Sequence, residues 1–100
     1  MTNVLLYRKL ATTIRNSGEH EQTVRLYQTD ILRFDDLTIT IDTGGWNTQL
    51  TRNRINQAAR EFSLAFHVRQ EKGQLYAIVS RGNGYEKYPI DETLTFARGK

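Results

Sequence analysis

Between Thr43 and Asn56 the chain reads TGGWNTQLTRNRIN, and across this stretch its apolar period changes from two to 3.6. Before it, Leu37, Ile39 and Ile41 alternate with Thr38, Thr40 and Asp42, the pattern of a half-buried strand. Gly44-Gly45 breaks that strand, because glycine reaches positive φ without steric cost. After it, Ile55, Ala58, Ala59 and Phe62 stand at i, i+3, i+4 and i+7 and make one apolar stripe. Thr48 or Thr51 supplies the N-cap, its hydroxyl accepting from an otherwise unpaired backbone N–H. The chain must therefore turn a corner from a strand into a helix over about 49–62.

The remaining segments read as strands and turns. Val4 to Ile14 is an irregular or strand-like lead-in, Asn16-Ser17-Gly18 signals a turn, and Glu19 to Gln22 a polar loop. Thr23 to Gln28 alternates, with Val24 and Leu26 on one side and Thr23, Arg25 and Tyr27 on the other. Thr29-Asp30 is placed to bend or bulge the chain before Ile31 to Phe34. Asp35-Asp36 is a turn candidate, so 31–42 reads as a hairpin. Beyond the helix, Leu64, Phe66 and Val68 alternate with Ala65, His67 and Arg69. Leu75, Ala77 and Val79 do the same with Tyr76 and Ile78 across the Glu71-Lys72-Gly73-Gln74 loop. Arg81-Gly82-Asn83-Gly84 is a turn. Tyr85 to Tyr88 makes a further short strand stopped by Pro89, which lacks a ladder donor, and Thr93 to Phe96 a last one. Hairpin-length connections favour antiparallel pairing. The expected fold is α+β: an antiparallel sheet of about five to seven short strands, with one amphipathic helix packed on one face.

One hundred residues make a single domain with one modest core. Cysteine is absent, which excludes disulfides, thiolate metal sites and a cysteine nucleophile. Apolar runs such as Val4-Leu5-Leu6 fall far short of the roughly 18 residues of a membrane span. MTNVLLYRKL lacks the apolar core and cleavage site of a signal peptide. The expectation is an intracellular, soluble chain without a membrane partner. Net charge is +3, and ten of the fourteen cations are arginine, the side chain best suited to phosphate and carboxylate forks.

Two surfaces are candidates for binding. On the helix, Arg52, Asn53, Asn56 and Arg60 fall along one flank of the apolar stripe, and Arg54 on the other near Glu61. Arginine and amide side chains hold phosphates and read bases, and a helix N-terminus adds exposed N–H donors. Polar residues opposite an apolar stripe are also what any surface helix carries. On the strands, Arg25 and Tyr27, His67 and Arg69, and Tyr76 point outward and resemble a single-strand platform in which bases stack between cations. Sequence does not show these strands to be neighbours. Gly44-Gly45-Trp46 reads as a corner with tryptophan capping the core rather than as a phosphate loop, since no Gly-Lys-Ser/Thr follows. Catalytic and metal constellations are lacking: His20 and His67 have no partner at ligand spacing, and no Gly-x-Ser-x-Gly or His-Glu-x-x-His occurs. No enzyme activity and no cofactor is expected.

Leu26-Tyr27-Gln28-Thr29-Asp30-Ile31, followed by Gly44, Gly45, Trp46, Thr48, Thr51, Arg54, Ile55 and Asn56, resembles a group of small, mostly uncharacterised bacteriophage proteins. Their pattern is Leu-x-x-Thr-Asp-Ile, a short strand, Gly-Gly-Trp-x-Thr-x-x-Thr-x-x-Arg-Ile/Met-Asn, and an aromatic-rich hairpin. Tyr88 to Phe96 loosely matches the closing segment, with Glu92-Thr93 where a glycine-containing turn is more usual. The resemblance runs over about residues 22 to 96. It implies phage or prophage origin and a host cytoplasmic setting, and supplies no activity. Small phage proteins of this kind bind nucleic acid, block a host enzyme or defence complex, or serve in the virion or its assembly. The basic balance favours nucleic acid, with a host protein as the alternative partner.

Overall fold

The computed structural model describes residues 12–18, 21–45 and 48–98. The change of period falls where the sequence places it: strand β4 (Thr38–Asp42) leads through the two glycines to helix α1 (Gln49–Glu61). Ahead of β4 lie β1 (Thr12–Gly18), β2 (Glu21–Leu26) and β3 (Thr29–Phe34). Behind α1 lie β5 (Phe66–Glu71), β6 (Gln74–Arg81), β7 (Gly84–Ile90) and β8 (Thr93–Ala97). Every pairing is antiparallel, and the strands divide into two sheets, β1-β2-β3-β4-β8 and β5-β6-β7. The α+β class and the single packed helix are as expected. The division into two sheets and the strand at Thr12–Gly18 are not in the sequence reading.

Four details of that reading change. Asn16-Ser17-Gly18 is not a turn: it lies in β1, where the register with β2 shifts between Asn16 and Gly18. Tyr27-Gln28, not Thr29-Asp30, turns the chain between β2 and β3, with Tyr27 at φ 57°. The irregularity falls one residue further on. Val24 faces Leu32 and Arg25 faces Asp30, so Ile31 is the extra residue of a bulge, and Ile31 and Leu32 are both buried. Leu37 stands in the β3–β4 turn and is exposed, because the Asp35 carboxylate accepts from the N–H groups of both Leu37 and Thr38 at 2.8 Å. Pro89 does not end β7, which runs through it to Ile90; β7 is an edge strand, where a missing donor is tolerated.

The core follows from strand register. Val24, Leu32, Ile41 and Leu94 form one cross-strand row of the larger sheet, and Phe34, Ile39 and Phe96 the next. Phe66 with Val79, and Val68 with Ala77, line the inner side of the smaller sheet. Ile55, Ala58 and Ala59 of α1 join them in one buried cluster. Phe96 bridges the two sheets, edge-on to Phe66 at 5.4 Å and stacked on Tyr88 at 5.9 Å.

The corner depends on its glycines. Gly44 and Gly45 adopt φ 65° and 83°, and a Cβ on Gly44 would lie 3.0 Å from Thr29 Cγ2 and Oγ1. Gly44 N–H donates to the Asp42 carboxylate at 2.8 Å, and Thr43 N–H to the Glu92 carbonyl at 2.9 Å. Trp46, read as a cap on the core, lies outside the described residues. Thr48 is the N-cap, its Oγ1 accepting from Thr51 N–H at 3.2 Å. At the other end Leu64 N–H reaches Ala59 O and Ser63 N–H reaches Arg60 O, with Ser63 at φ 54°. This is a Schellman ending with serine where glycine is usual.

Candidate nucleic-acid interface

The apolar stripe of α1 turns inward, which sends its two polar flanks outward. One flank carries Arg52, Asn56 and Arg60, spaced one turn apart. Asn56 fixes where that flank lies. Its Oδ1 accepts from Val68 N–H at 2.7 Å, and its Nδ2 donates to Val68 O at 3.0 Å. Val68 is in β5, an edge strand of the smaller sheet, so the asparagine amide closes that edge in place of a neighbouring strand. Arg52 and Arg60, one turn to either side, are thereby carried along the same edge. Asn53 and Arg60 are exposed and Arg52 is half-buried. Arg54 sits on the opposite flank, donating from Nη1 to Gln57 Oε1 at 2.8 Å, while its Nε is enclosed without a partner.

Charge is distributed unevenly over these elements. On the sheets, cations have carboxylates beside them. Arg25 Nε lies 2.7 Å from Asp30, Arg33 Nε 3.8 Å from Glu21, and Arg81 Nε 2.9 Å from Glu86. Glu71 serves two, Arg69 at 3.1 Å and Lys87 at 2.6 Å. The hydrogen bond from Lys87, then the nearby positive charge of Lys87 and Arg69, holds the Glu71 carboxyl below its ordinary range. On α1, by contrast, the first turn has no acidic residue, and among the described residues neither Arg54 nor Arg60 has a carboxylate at ion-pair distance.

The strand residues expected to form one platform separate into two places. Arg25 lies on the outer face of the five-stranded sheet, and Tyr27 is in the β2–β3 turn, 59 % exposed. Arg69 and Tyr76 do come together, as directly paired residues on the outer face of β5 and β6, with His67 in the adjacent row. Lys87 from β7 crosses this face, its Nζ 4.4 Å from the Tyr76 ring centroid. Lys87 and Glu71 were not singled out from sequence, although Tyr76 paired to Pro89 places Lys87 diagonally beside it.

A groove of about 750 Å³ opens between the β2–β3 turn and the start of α1, floored by Leu26, Ile31 and Leu50. The hydroxyls of Thr43, Thr48 and Thr51 on its rim already have partners within the fold. No helix of the described residues is long and apolar enough to cross a membrane.

A family model described as Kyanoviridae Gp96 protein matches residues 2–98. The chain belongs to this family of phage proteins. The match extends beyond the span of 22 to 96 over which the sequence resemblance runs. No curated protein and no solved structure matches the chain.

Proposed function

We propose that this member of the Kyanoviridae Gp96 family is a non-enzymatic accessory protein that binds nucleic acid through the arginines of α1 in the host cytoplasm. The observation that carries the proposal is the local surplus of cations on the helix, set against sheets whose arginines stand beside carboxylates. Arg60 and Asn53 are exposed, and Arg52 shares Arg60's flank. The N-terminal N–H groups of α1 add partial positive charge at the same end as Arg52 and Arg54. Asn56 supports the interface indirectly: it holds the helix against β5 and so sets the spacing of the arginines around it.

The test is a salt series of binding to single- and double-stranded DNA and RNA, with wild type and the triple variant Arg52→Ala/Arg54→Ala/Arg60→Ala. Loss of three phosphate contacts lowers the slope of log affinity against log salt by about 2 for a single strand. Equal, weak binding by both proteins at low salt contradicts the proposal.

A further inference from the structure

The amide bonds of Asn56 do more than hold the helix. They bring one flank of α1 against β5, and the two elements run in opposite directions because only Phe62 to Ala65 separates them. Four helical residues advance about 6 Å, close to two residues of strand. With Asn56 opposite Val68, Arg60 therefore lies toward the Phe66 end of β5 and Arg52 toward the Gln70 end. His67 and Arg69, which flank Val68 in sequence, project from the outer face of the same strand and are both exposed. One step further across the sheet stands Tyr76, paired with Arg69. Helix and sheet cations thus meet along one seam with an aromatic ring beside it. Arg52 to Arg60 alone span about 12 Å.

The acidic residue in this surface has an unusual position. Glu71 takes Arg69 at 3.1 Å and Lys87 at 2.6 Å, and Lys87 passes over the Tyr76 ring to reach it. A single carboxylate between two cations, above an aromatic ring, is the arrangement that a phosphate and a stacked base would also satisfy.

We infer that the seam between α1 and β5 is a track for one nucleic-acid strand, with Tyr76 stacking a base and Arg69 and Lys87 holding phosphate in place of Glu71. This rests on the nucleic-acid reading above and narrows it to single strands. A duplex keeps its bases stacked on one another and offers Tyr76 no π-face. Binding exchanges the Lys87 contact on the Tyr76 ring for a base and turns the ammonium toward the phosphate that displaces the carboxylate.

The experiment measures fluorescence anisotropy of a labelled oligothymidylate, an oligouridylate and a mixed-sequence duplex at fixed salt. The proteins are wild type, Tyr76→Val, Tyr76→Phe, Arg69→Ala and Glu71→Gln. Valine keeps the strand propensity of position 76 while removing the ring. Tyr76→Val weakens single-strand binding about tenfold, and Tyr76→Phe retains it. Arg69→Ala weakens it as well. Glu71→Gln tightens it by up to about fivefold, because the internal competitor for two cations is gone. Single-strand binding unchanged in both Tyr76→Val and Arg69→Ala, or duplex bound as tightly as single strand, overturns the track and leaves the helix reading standing. Absence of binding to all three probes by wild type removes both.

Discussion

Replacing Asn56 with alanine tests whether this residue serves the fold, as its geometry indicates. The substitution removes two hydrogen bonds, 2.7 Å from Val68 N–H and 3.0 Å to Val68 O. Each contributes about 1 kcal/mol net. Val68 is 3 % exposed, so its backbone groups are only partly reached by water once the amide is gone, which adds about 1 kcal/mol. Alanine is the better helix former and returns roughly 0.5 kcal/mol. The sum is a loss of about 2 to 3 kcal/mol, equivalent to roughly 10 °C or more in Tm for a domain of this size. Asn56→Asp is a sharper version: the carboxylate still accepts from Val68 N–H but cannot donate to Val68 O, so it rescues little. Urea denaturation supplies the free energies, and amide hydrogen exchange at Val68 supplies the location. A loss below about 0.5 kcal/mol in Asn56→Ala, within the range of ordinary surface substitutions, would refute the edge-closing role.

Two backbone substitutions should move stability in opposite directions. Ser63→Gly relieves a left-handed residue at the helix C-terminus and stabilises by up to about 1 kcal/mol, whereas Gly44→Ala at φ 65° destabilises by at least that much and crowds Thr29; thermal melts of both variants check the pair. Acid sensitivity follows from Asp35, whose carboxyl is held below its ordinary range first by the Thr38 N–H and then by the Leu37 N–H. A depressed folded-state pKa contributes stability that is complete above the unfolded value and is lost as pH falls through the folded one. Asp35→Asn should therefore flatten the decline in stability below the usual carboxylate range and leave the neutral-pH slope unchanged, as read from urea midpoints across pH.

What the sequence made legible was local and periodic. The stripe from Ile55 to Phe62, the cap at Thr48 and the hairpin at 31–42 all depend on residues within a few positions of one another. The β2–β3 turn was hidden because Tyr27-Gln28 contains neither glycine nor asparagine, although Tyr27 takes a left-handed conformation. Once that turn is placed, the Arg25–Asp30 pair follows directly from register. Asn56 and Arg69 illustrate the harder case. One looked like a base-reading amide and bonds instead to a strand edge twelve residues away, and the other needed the pairing of β5 with β6 to meet Tyr76. The division into two sheets has the same origin, because β8 passes over its sequence neighbour β7 to pair with β4.

The central claim is that nucleic acid meets this protein at α1 and the adjoining face of β5. Titrating ¹⁵N-labelled protein with a short single strand and following its amide resonances tests that most directly. The account predicts salt-sensitive shifts concentrated on α1 and at His67, Arg69 and Tyr76, with the Arg25 face of the larger sheet unmoved. Shifts centred on the larger sheet, or none at low salt, would contradict it.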